Sequence, residues 1–341
     1  MLKPSGFRET GRQQRDDKKE VVMKARLGVF FASMLMASLL VPAIALAQGK
    51  YPVDVVKLIT HSSPGSGSDL FLRHMSGPLG RIMGVKFVVE NVKGGSGARA
   101  MELLATSPAD GSIFYATTPT YIFTSLLSSP KYTYRNLEPL VNVFSDQEII
   151  YTRSNGPFKT LKDVIAAAKK GRGRWGASTP GSLERQALER LKKAAGVKAG
   201  IVTHSGGGPL LIGVMNGTLD IGVGEYAEVL PEVKAGKLRL LAVFSDKRMA
   251  GLPDLPTVKE LGYDVVVKKF RGLAGPKGLP ANVVAAWEKG IQAVLKDPEF
   301  IKSYRKDNLT PDYIPHKEYV KFTDDFAKRS EAFFKSHGVI K

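Results

Sequence analysis

The segment from Val55 to Ile82 constrains the fold more than any other part of the chain. An apolar strand at 55–60 leads into a loop of small residues at 62–68, and a helix is predicted to begin at Asp69. Leu72, Met75, Leu79 and Ile82 recur at helical spacing and give this helix one apolar face. A loop without bulky side chains lets a ligand reach the N–H groups at a helix N-terminus, where an anion is favoured. This unit predicts an α/β fold with an anion-binding loop.

A second unit of the same kind follows at once. The strand Lys86–Glu90 precedes a Gly-rich loop at 93–97, and a helix is predicted over 98–105. Loops at the same end of neighbouring parallel strands meet at one crevice, which is where open α/β sheets bind ligands. We therefore expect the two loops to form one wall of a binding site.

The pattern recurs in the second half of the chain. The first unit here has a strand at 174–177, a small-residue loop at 178–182 and a helix at 183–195. The next unit has a strand at 200–203, a Gly-rich loop at 205–209 and a helix at 210–216. A further strand is predicted at 219–223. Alternating strands and helices indicate mainly parallel sheets. Two groups of such units predict two lobes with a ligand cleft between them. The first lobe is formed by 48–148 with 270–341, and the second by 149–269. The hinges are expected near 144–151 and 268–272.

The first 47 residues are predicted to be a secretory signal peptide. Lys24 and Arg26 precede an uncharged apolar stretch, and the small residues ending at Ala47 suit a cleavage site. A single membrane anchor is the alternative, since the uncharged stretch approaches spanning length. Export without any Cys indicates a bacterial periplasm, where a large core replaces disulfides.

Net charge gives a weaker indication of the partner. The formal charge is +18, and residues 1–47 hold eight basic and four acidic residues, so the remaining 294 residues carry +14. The basic residues are scattered over predicted helices without an arginine-rich arm or an aromatic RNA-binding motif. We therefore expect no nucleic-acid partner, and we expect a monomer.

Several short motifs, in order and at consistent spacing, resemble the periplasmic solute receptors of tripartite tricarboxylate transporters, often called Bug proteins. The motifs lie at 51–52, 64–69, 88–91, 108–111, 179–182, 206–209, 237–243, 255–263 and 272–276. The resemblance implies a two-lobed periplasmic binding protein of the Venus flytrap type, with a carboxylate-bearing solute in the cleft. It also implies that the loaded receptor delivers this solute to the permease subunits in the membrane.

The sequence departs from the family pattern in the binding loops. His61-Ser62 stands where the family usually has Pro-Phe, and 97–100 replaces a usual Gly-Asn-Ile-Gly. Arg185 stands in place of a usual His, and Thr203-His204 in place of Pro-Tyr. These changes leave the fold prediction intact, but they prevent a direct transfer of the ligand.

The candidate ligand-binding residues come from the four loops and the end of one strand. They are His61, Ser62, Ser66, Gly67, Ser68, Gly95, Ser96, Gly97, Arg99, Thr179, Gly181, Ser182, His204, Ser205, Gly206, Gly207 and Glu225. For each, an ordinary structural role is the alternative. Asp69 is instead predicted to cap its helix and to pair with Arg73, because a carboxylate aimed into an anion site would repel the ligand.

Catalytic motifs are lacking. The sequence contains no Gly-x-Ser-x-Gly, His-Glu-x-x-His or P-loop motif, and its five His residues lack metal-ligand spacing. We therefore expect no cofactor, no metal and no enzymatic activity. Two alternatives remain open: a periplasmic hydrolase that acts on a carboxylate with His61 or His204 as base, and a sensor subunit that docks on a signalling partner once loaded.

Overall fold

The computed structural model describes residues 51–171, 173–336 and 338–341. The predicted signal peptide and its cleavage site near Ala47 lie outside these residues. No helix in the described ranges has both the length and the apolar character needed to cross a membrane.

The described residues contain eleven strands and ten α-helices in an alternating order. The strands are β1 Val55–Thr60, β2 Lys86–Asn91, β3 Ile113–Thr117, β4 Leu137–Asp146, β5 Glu148–Arg153, β6 Arg174–Ala177, β7 Gly200–Thr203, β8 Ile221–Glu225, β9 Leu238–Val243, β10 Lys269–Pro276 and β11 Thr310–Ile314. The helices are α1 Gly67–Met83, α2 Ala98–Ala105, α3 Pro119–Ser128, α4 Leu161–Lys169, α5 Leu183–Ala195, α6 Gly207–Met215, α7 Tyr226–Lys234, α8 Ala281–Val294, α9 Pro298–Lys306 and α10 His316–Ser336. Short 3₁₀ turns lie at Gly95–Gly97 and Tyr134–Asn136.

The strands form two sheets. The first has the order β11-β4-β10-β3-β1-β2 and the second the order β7-β6-β8-β5-β9. Pairs β1/β2, β1/β3, β6/β7 and β6/β8 are parallel, whereas β10 and β5 run antiparallel to both of their neighbours and β11 runs antiparallel to β4. The sheets are therefore mixed, not mainly parallel as predicted, because β4, β5 and β10 carry the chain between the two sheets and run against their neighbours.

The passage between the sheets is short at one point. Only Gln147 separates β4 of the first sheet from β5 of the second. The return strand β10 pairs with β4, with Lys269 opposite Asp146, and β5 pairs with β8, with Glu148 opposite Glu225. These two strand registers make neighbours of charged residues that lie far apart in the sequence, Lys269 beside Asp146 and Glu148 beside Glu225.

Helix α1 shows why the sequence folds in this way. Leu72, Met75 and Leu79 are fully buried against the first sheet, as their spacing predicts, whereas Ile82 in the last turn is exposed. The helix begins at Gly67 and not at Asp69, and α6 begins at Gly207 and not at Leu210. In both cases the first helical N–H finds a side-chain acceptor, so the helix extends into the predicted loop.

Each sheet is covered by its own apolar clusters. One face of the first sheet packs on Trp287, and the other packs on Met101 and Tyr121. The second sheet has its main core around Trp175 and Leu188. This two-sheet α/β architecture confirms the predicted two-lobed fold class.

Candidate functional site

The loop before α1 meets the second sheet's loops directly. The Ser66 hydroxyl accepts a hydrogen bond from the N–H of Gly207 at 3.1 Å, and the Ser63 hydroxyl donates to the carbonyl of Ser205 at 2.9 Å. Gly206 lies so close that a Cβ there would come within 2.9 Å of the Ser63 nitrogen. Only Gly allows this approach, and as a result the N-termini of α1 and α6 face each other.

The second Gly-rich loop makes a similar contact. The N–H of Gly181 donates to the Ser96 hydroxyl at 3.2 Å, and the Thr124 hydroxyl donates to the Ser96 carbonyl at 2.8 Å. A Cβ on Gly181 would lie 2.5 Å from the Thr124 hydroxyl oxygen. The four predicted loops therefore come together in two pairs, each pair joining the first sheet to the second.

A small polar cavity lies between these loops. Its volume is about 10 Å³, roughly the space of one water molecule. The lining residues are His61, Ser62, Ser66, Gly67, Ser68, Thr118, Thr120, Ser178, Glu184, Gly207, Glu225, Glu228 and Lys269. Seven of them are among the predicted site residues.

The other predicted residues lie around the cavity or away from it. Ser96, Gly181, Ser205 and Gly206 make the contacts between the loops described above, and the Ser182 hydroxyl caps α5 by accepting from the N–H of Arg185. The remaining predicted residues do not line the cavity, namely Gly95, Gly97, Arg99, Thr179 and His204. Arg99 is exposed, which favours the ordinary reading of a solvent-facing helix charge.

Asp69 has the structural role that the sequence predicts. Its carboxylate accepts hydrogen bonds from the N–H of Gly65 at 2.9 Å, from Arg73 Nε at 3.0 Å and from Asn91 Nδ2 at 3.0 Å. These contacts hold its pKa below the ordinary value even though burial alone would raise it. The carboxylate braces the loop before α1 and is fully occupied by these donors.

Lys269 brings an unpredicted charge cluster to the cavity. Its Nζ lies 2.8 Å from Glu148 Oε1 and 3.1 Å from Glu184 Oε1, and it also donates to Glu225. Oxygens of these three carboxyl groups lie within 4.8 Å of one another, a spacing that suits a cation. The Lys269 ammonium takes that central position.

Arg271 extends the cluster toward the first sheet. It lies two residues beyond Lys269 on β10 and so points to the same face. Its guanidinium donates to Asp146, to Glu225 at 3.1 Å and to the Ser68 hydroxyl at 3.1 Å. The side chains of Lys269 and Arg271 are buried, as are those of their acidic partners.

Glu228 completes the cluster from α7. Its Oε1 accepts a hydrogen bond from the N–H of Gly67 at 2.7 Å, and its carboxyl group is hydrogen-bonded to Glu225. Burial and the adjacent charge of Glu225 raise the pKa of Glu228 well above its ordinary value. Burial acts on Glu225 in the same direction, but Lys269 and Arg271 outweigh it and hold the pKa of Glu225 below the ordinary value. These opposite shifts favour a proton on Glu228, in a hydrogen bond to the Glu225 carboxylate.

His61 is held uncharged. Its Nδ1 lies 2.7 Å from the Tyr115 hydroxyl, and its ring meets the Tyr115 ring edge-on. Burial lowers the pKa of His61 to about 4, and the nearby charge of Lys269 adds to this effect. Burial also raises the pKa of Tyr115. Both groups are therefore neutral at neutral pH, so His61 can offer a neutral ring nitrogen to the cavity.

Sequence reasoning missed three polar residues that line the cavity, namely Thr118, Thr120 and Ser178. It also missed six residues of the charge cluster, namely Asp146, Glu148, Glu184, Glu228, Lys269 and Arg271. One signal for the charge cluster was present: Lys269 and Arg271 alternate in the segment 265–274, whose other residues are apolar apart from Lys268. Charged residues within a buried strand require partners of opposite charge. That signal does not identify the partners, because they come from four other elements.

Comparisons with known proteins agree with this architecture. Residues 71–339 match the family model described as "Tripartite tricarboxylate transporter family receptor". The chain belongs to this receptor family. A UPF0065 protein from Cupriavidus necator is 25% identical over 320 residues, which cover 93% of this chain and 97% of that protein.

Solved structures of family members have the same fold. The periplasmic binding protein BugD is 24% identical and superposes with a TM-score of 0.80, over 85% of this chain and 99% of its own. A Rhodopseudomonas palustris protein solved with adipate, Rpa4515, is also 24% identical with a TM-score of 0.80, over 84% of this chain and 98% of its own. These likenesses confirm the periplasmic binding protein fold predicted from the sequence, and the match to the family model confirms the predicted family resemblance.

Proposed function

We propose that this receptor closes over a small carboxylate-bearing solute and delivers it to the permease subunits of a tripartite tricarboxylate-type transporter. The observation that carries the proposal is the meeting of two helix N-termini, at Gly67 and Gly207, across a cavity lined by hydroxyl groups. The first N–H groups of the two helices are taken by Glu228 and Ser66, so the hydroxyl groups are the donors for a solute carboxylate, and the partial positive charge of the helix N-termini favours it. The adipate held by the Rhodopseudomonas palustris relative supports the same ligand class.

Closure is proposed to be a movement of the two lobes, 48–148 with 270–341 and 149–269. The cavity holds about 10 Å³, so a solute enters only when the loops lie further apart. The bonds of Ser66 to Gly207 and of Ser96 to Gly181 join the two lobes and form on closure. A solute that contacts both lobes adds to these bonds and favours the closed form.

The proposal includes export to the periplasm. Residues 1–47 act as a cleavable signal peptide, and the mature chain begins near Gln48. Mass measurement of the protein recovered from a periplasmic extract tests this step directly. A mature mass that starts near residue 48 supports it, and a full-length, membrane-associated chain would favour an uncleaved anchor.

Native mass spectrometry of the mature protein as purified tests the receptor function. The expected result is a small acid bound one-to-one, which denaturation releases unchanged for identification. If the protein is recovered empty, isothermal titration against a panel of carboxylates follows. Absence of saturable binding across the panel, or conversion of a panel member to a product, would overturn the proposal.

A further inference from the structure

Acidic groups outnumber basic groups in the buried cluster beside the cavity. Five carboxyl groups and two cations lie together there: Asp146, Glu148, Glu184, Glu225, Glu228, Lys269 and Arg271. Three of the carboxyl groups line the cavity, against one cation, Lys269. His61, which also lines it, is neutral. Burial raises the pKa of Asp146, Glu148 and Glu228 and so favours their protonated forms. The surroundings of a bound solute are therefore rich in carboxyl groups whose ionised forms an added positive charge would favour.

Neither cation is free to receive a carboxylate from a solute. Lys269 already has three carboxyl groups within hydrogen-bond distance. Arg271 is engaged by Asp146, by Glu225 and by the Ser68 hydroxyl. A solute carboxylate placed at Lys269 would be the fourth acidic group around one ammonium, and the added repulsion opposes its binding.

Two buried acceptor atoms in this cluster lack a donor. Glu148 Oε2 and Glu184 Oε2 are inaccessible to solvent and have no hydrogen-bond partner among the described residues. Glu184 is 4% exposed and lines the cavity. A buried acceptor without a donor is costly, so a donor brought by the solute would relieve this cost. A cationic N–H group is the donor that matches both the free acceptor and the excess of acidic groups.

We propose that the solute carries a protonated amine as well as a carboxylate, so that it is an amino acid and not a simple di- or tricarboxylic acid. The ammonium lies beside Glu184, Glu225 and Glu228. The carboxylate lies against hydroxyl groups that line the same cavity, such as those of Ser62 and Thr120. This inference rests on the proposed receptor function and specifies the class of its ligand.

The pair of Glu225 and Glu228 supplies a way to accommodate the incoming charge. The two carboxyl groups are hydrogen-bonded to each other, and burial and the charge of Glu225 raise the pKa of Glu228 well above its ordinary value, which favours a proton on Glu228. When an ammonium group lies beside these two carboxyl groups, it favours their ionised forms, and this proton is released to solvent. Binding of the solute is then accompanied by proton release, which calorimetry in buffers of different ionisation enthalpy detects.

Solutes that differ by a single end group test the inference. The mature protein, stripped of bound solute, is titrated at pH 7.5 with glutarate, 4-aminobutyrate, L-glutamate and butylamine. Glutarate and 4-aminobutyrate have the same carbon spacer and differ in one end group, L-glutamate places the amine next to a carboxylate, and butylamine has no carboxylate. We expect one of the two amino acids to bind at least about tenfold more tightly than glutarate, with proton release.

Each result has a distinct meaning. If glutarate binds as tightly as both amino acids, the amine inference is overturned and the receptor function stands. If butylamine binds as tightly as the better amino acid, the carboxylate of the proposed function is overturned and the amine inference stands. If none of the four binds, both are overturned. An amine-free acid identified in the protein as purified would also overturn the inference.

Variants on helix α5 supply a matched control. Glu184→Gln removes the acidic group that faces the cavity, whereas Glu189→Gln changes a partly exposed acidic residue of the same helix. We expect E184Q to lose most of the preference for the amino acid over glutarate and E189Q to retain it. If a folded E184Q protein still prefers the amino acid over glutarate, the placement of the solute's ammonium beside Glu184 is contradicted. If E184Q does not fold, the solute panel on the unaltered protein still decides.

Discussion

The N–H of Gly67, the first residue of helix α1, donates a 2.7 Å hydrogen bond to the Glu228 carboxyl group. Glu228 belongs to the lobe that contains the second sheet, and Gly67 to the lobe that contains the first. The Glu228 side chain therefore occupies the N–H donor of a residue in the other lobe. The sequence assigns this N–H to a ligand carboxylate, and the structure gives it to a carboxyl group of the protein itself. Glu228 and a solute carboxylate would compete for the same donor, which directs the solute's carboxylate to the neighbouring hydroxyl groups.

Substitutions at Glu228 separate its hydrogen bonds from its charge. Glu228→Gln keeps an acceptor for the Gly67 N–H and a donor for Glu225, so we expect the free energy of unfolding to change by less than about 1 kcal/mol. Glu228→Ala leaves the Gly67 N–H without an acceptor and should lower the free energy of unfolding by about 1–3 kcal/mol. Urea unfolding at pH 7.5 measures both. Equal losses in the two variants would contradict the stabilising role assigned to the two hydrogen bonds of Glu228.

Glu225→Gln should be much more harmful than Glu228→Gln. Glu225 is the acidic partner that Lys269 and Arg271 share, and both cations are buried. Removal of one partner from a buried ion pair costs about 3–5 kcal/mol, because the remaining charge is left without compensation. Urea unfolding of the two Gln variants under identical conditions makes the comparison. A loss in E225Q no larger than that in E228Q would contradict the charge assignment.

Lys269→Met should destabilise the protein in a pH-dependent manner. The variant leaves Glu148, Glu184 and Glu225 without their ammonium group, at a cost of about 3–5 kcal/mol at pH 7.5. Without the ammonium, the pKa of Glu148, which burial already raises, rises further, and the pKa of Glu225 is no longer held down by Lys269. The folded variant therefore binds more protons than the folded unaltered protein. Its stability relative to the unaltered protein therefore increases as pH falls.

Lys268→Met is the matched control for this variant. The Lys268 side chain is 70% exposed and lies 3.9 Å from Asp312, so its loss should change the free energy of unfolding by less than about 1 kcal/mol. Urea unfolding at pH 7.5 and pH 5 checks both variants. A deficit in K269M that stays constant over this range would show that the surrounding carboxyl groups do not titrate.

The elements and the loops were predictable because they depend on local sequence. The apolar periodicity of α1 and the small residues at 62–68 and 205–209 are visible without a structure, and the loops do meet between the sheets. The helix starts at Gly67 and Gly207 were missed because their acceptors, on Glu228 and Ser66, lie 161 and 141 positions away.

The charge cluster was beyond sequence reasoning for the same physical reason. Lys269 meets Glu148 across 121 positions, Glu184 across 85 and Glu225 across 44. These contacts follow from two strand registers and from the position of α5, and none of them has a local signature. Glu225 was selected from its position near a strand end, and its partners became apparent only once β5 and β8 were paired.

His61 should make the folded protein sensitive to acid. Its pKa is about 4 in the folded state against 6.5 ordinarily, so below pH 6.5 the unfolded chain binds a proton that the folded protein does not. The free energy of unfolding therefore decreases by about 3 kcal/mol on account of His61 as the pH falls from 6.5 to 4. In His61→Asn, which retains an acceptor or donor for Tyr115, this loss is absent. Parallel unfolding profiles of the two proteins between pH 7 and pH 4 would contradict the prediction.

Gly67→Ala should weaken both solute binding and stability, in contrast with Gly77→Ala on the same helix. A Cβ at Gly67 would lie 2.8 Å from Arg271 Nη2 and 2.9 Å from Glu225 Cδ, whereas at Gly77 the nearest atom is 4.0 Å away. The sequence alone predicts that Gly67→Val abolishes binding and leaves the fold intact. The structure instead places the added side chain against a buried ion pair, so the folded state is affected as well.

We expect Gly67→Ala to lower the free energy of unfolding by about 1–3 kcal/mol and Gly67→Val to lower it further, because the ion pair must move to admit the added atoms. Gly77→Ala should change it by less than about 1 kcal/mol, since Ala restricts the unfolded chain but is disfavoured in a helix directly before Pro78. Urea unfolding and titration with the solute found in the purified protein measure both effects. If Gly67→Ala weakens solute binding but leaves the free energy of unfolding unchanged, the ion pair of Arg271 and Glu225 moves aside without loss of stability. Gly67 then matters only because it leaves space for the solute. Unchanged binding in Gly67→Val would remove the start of α1 from the site.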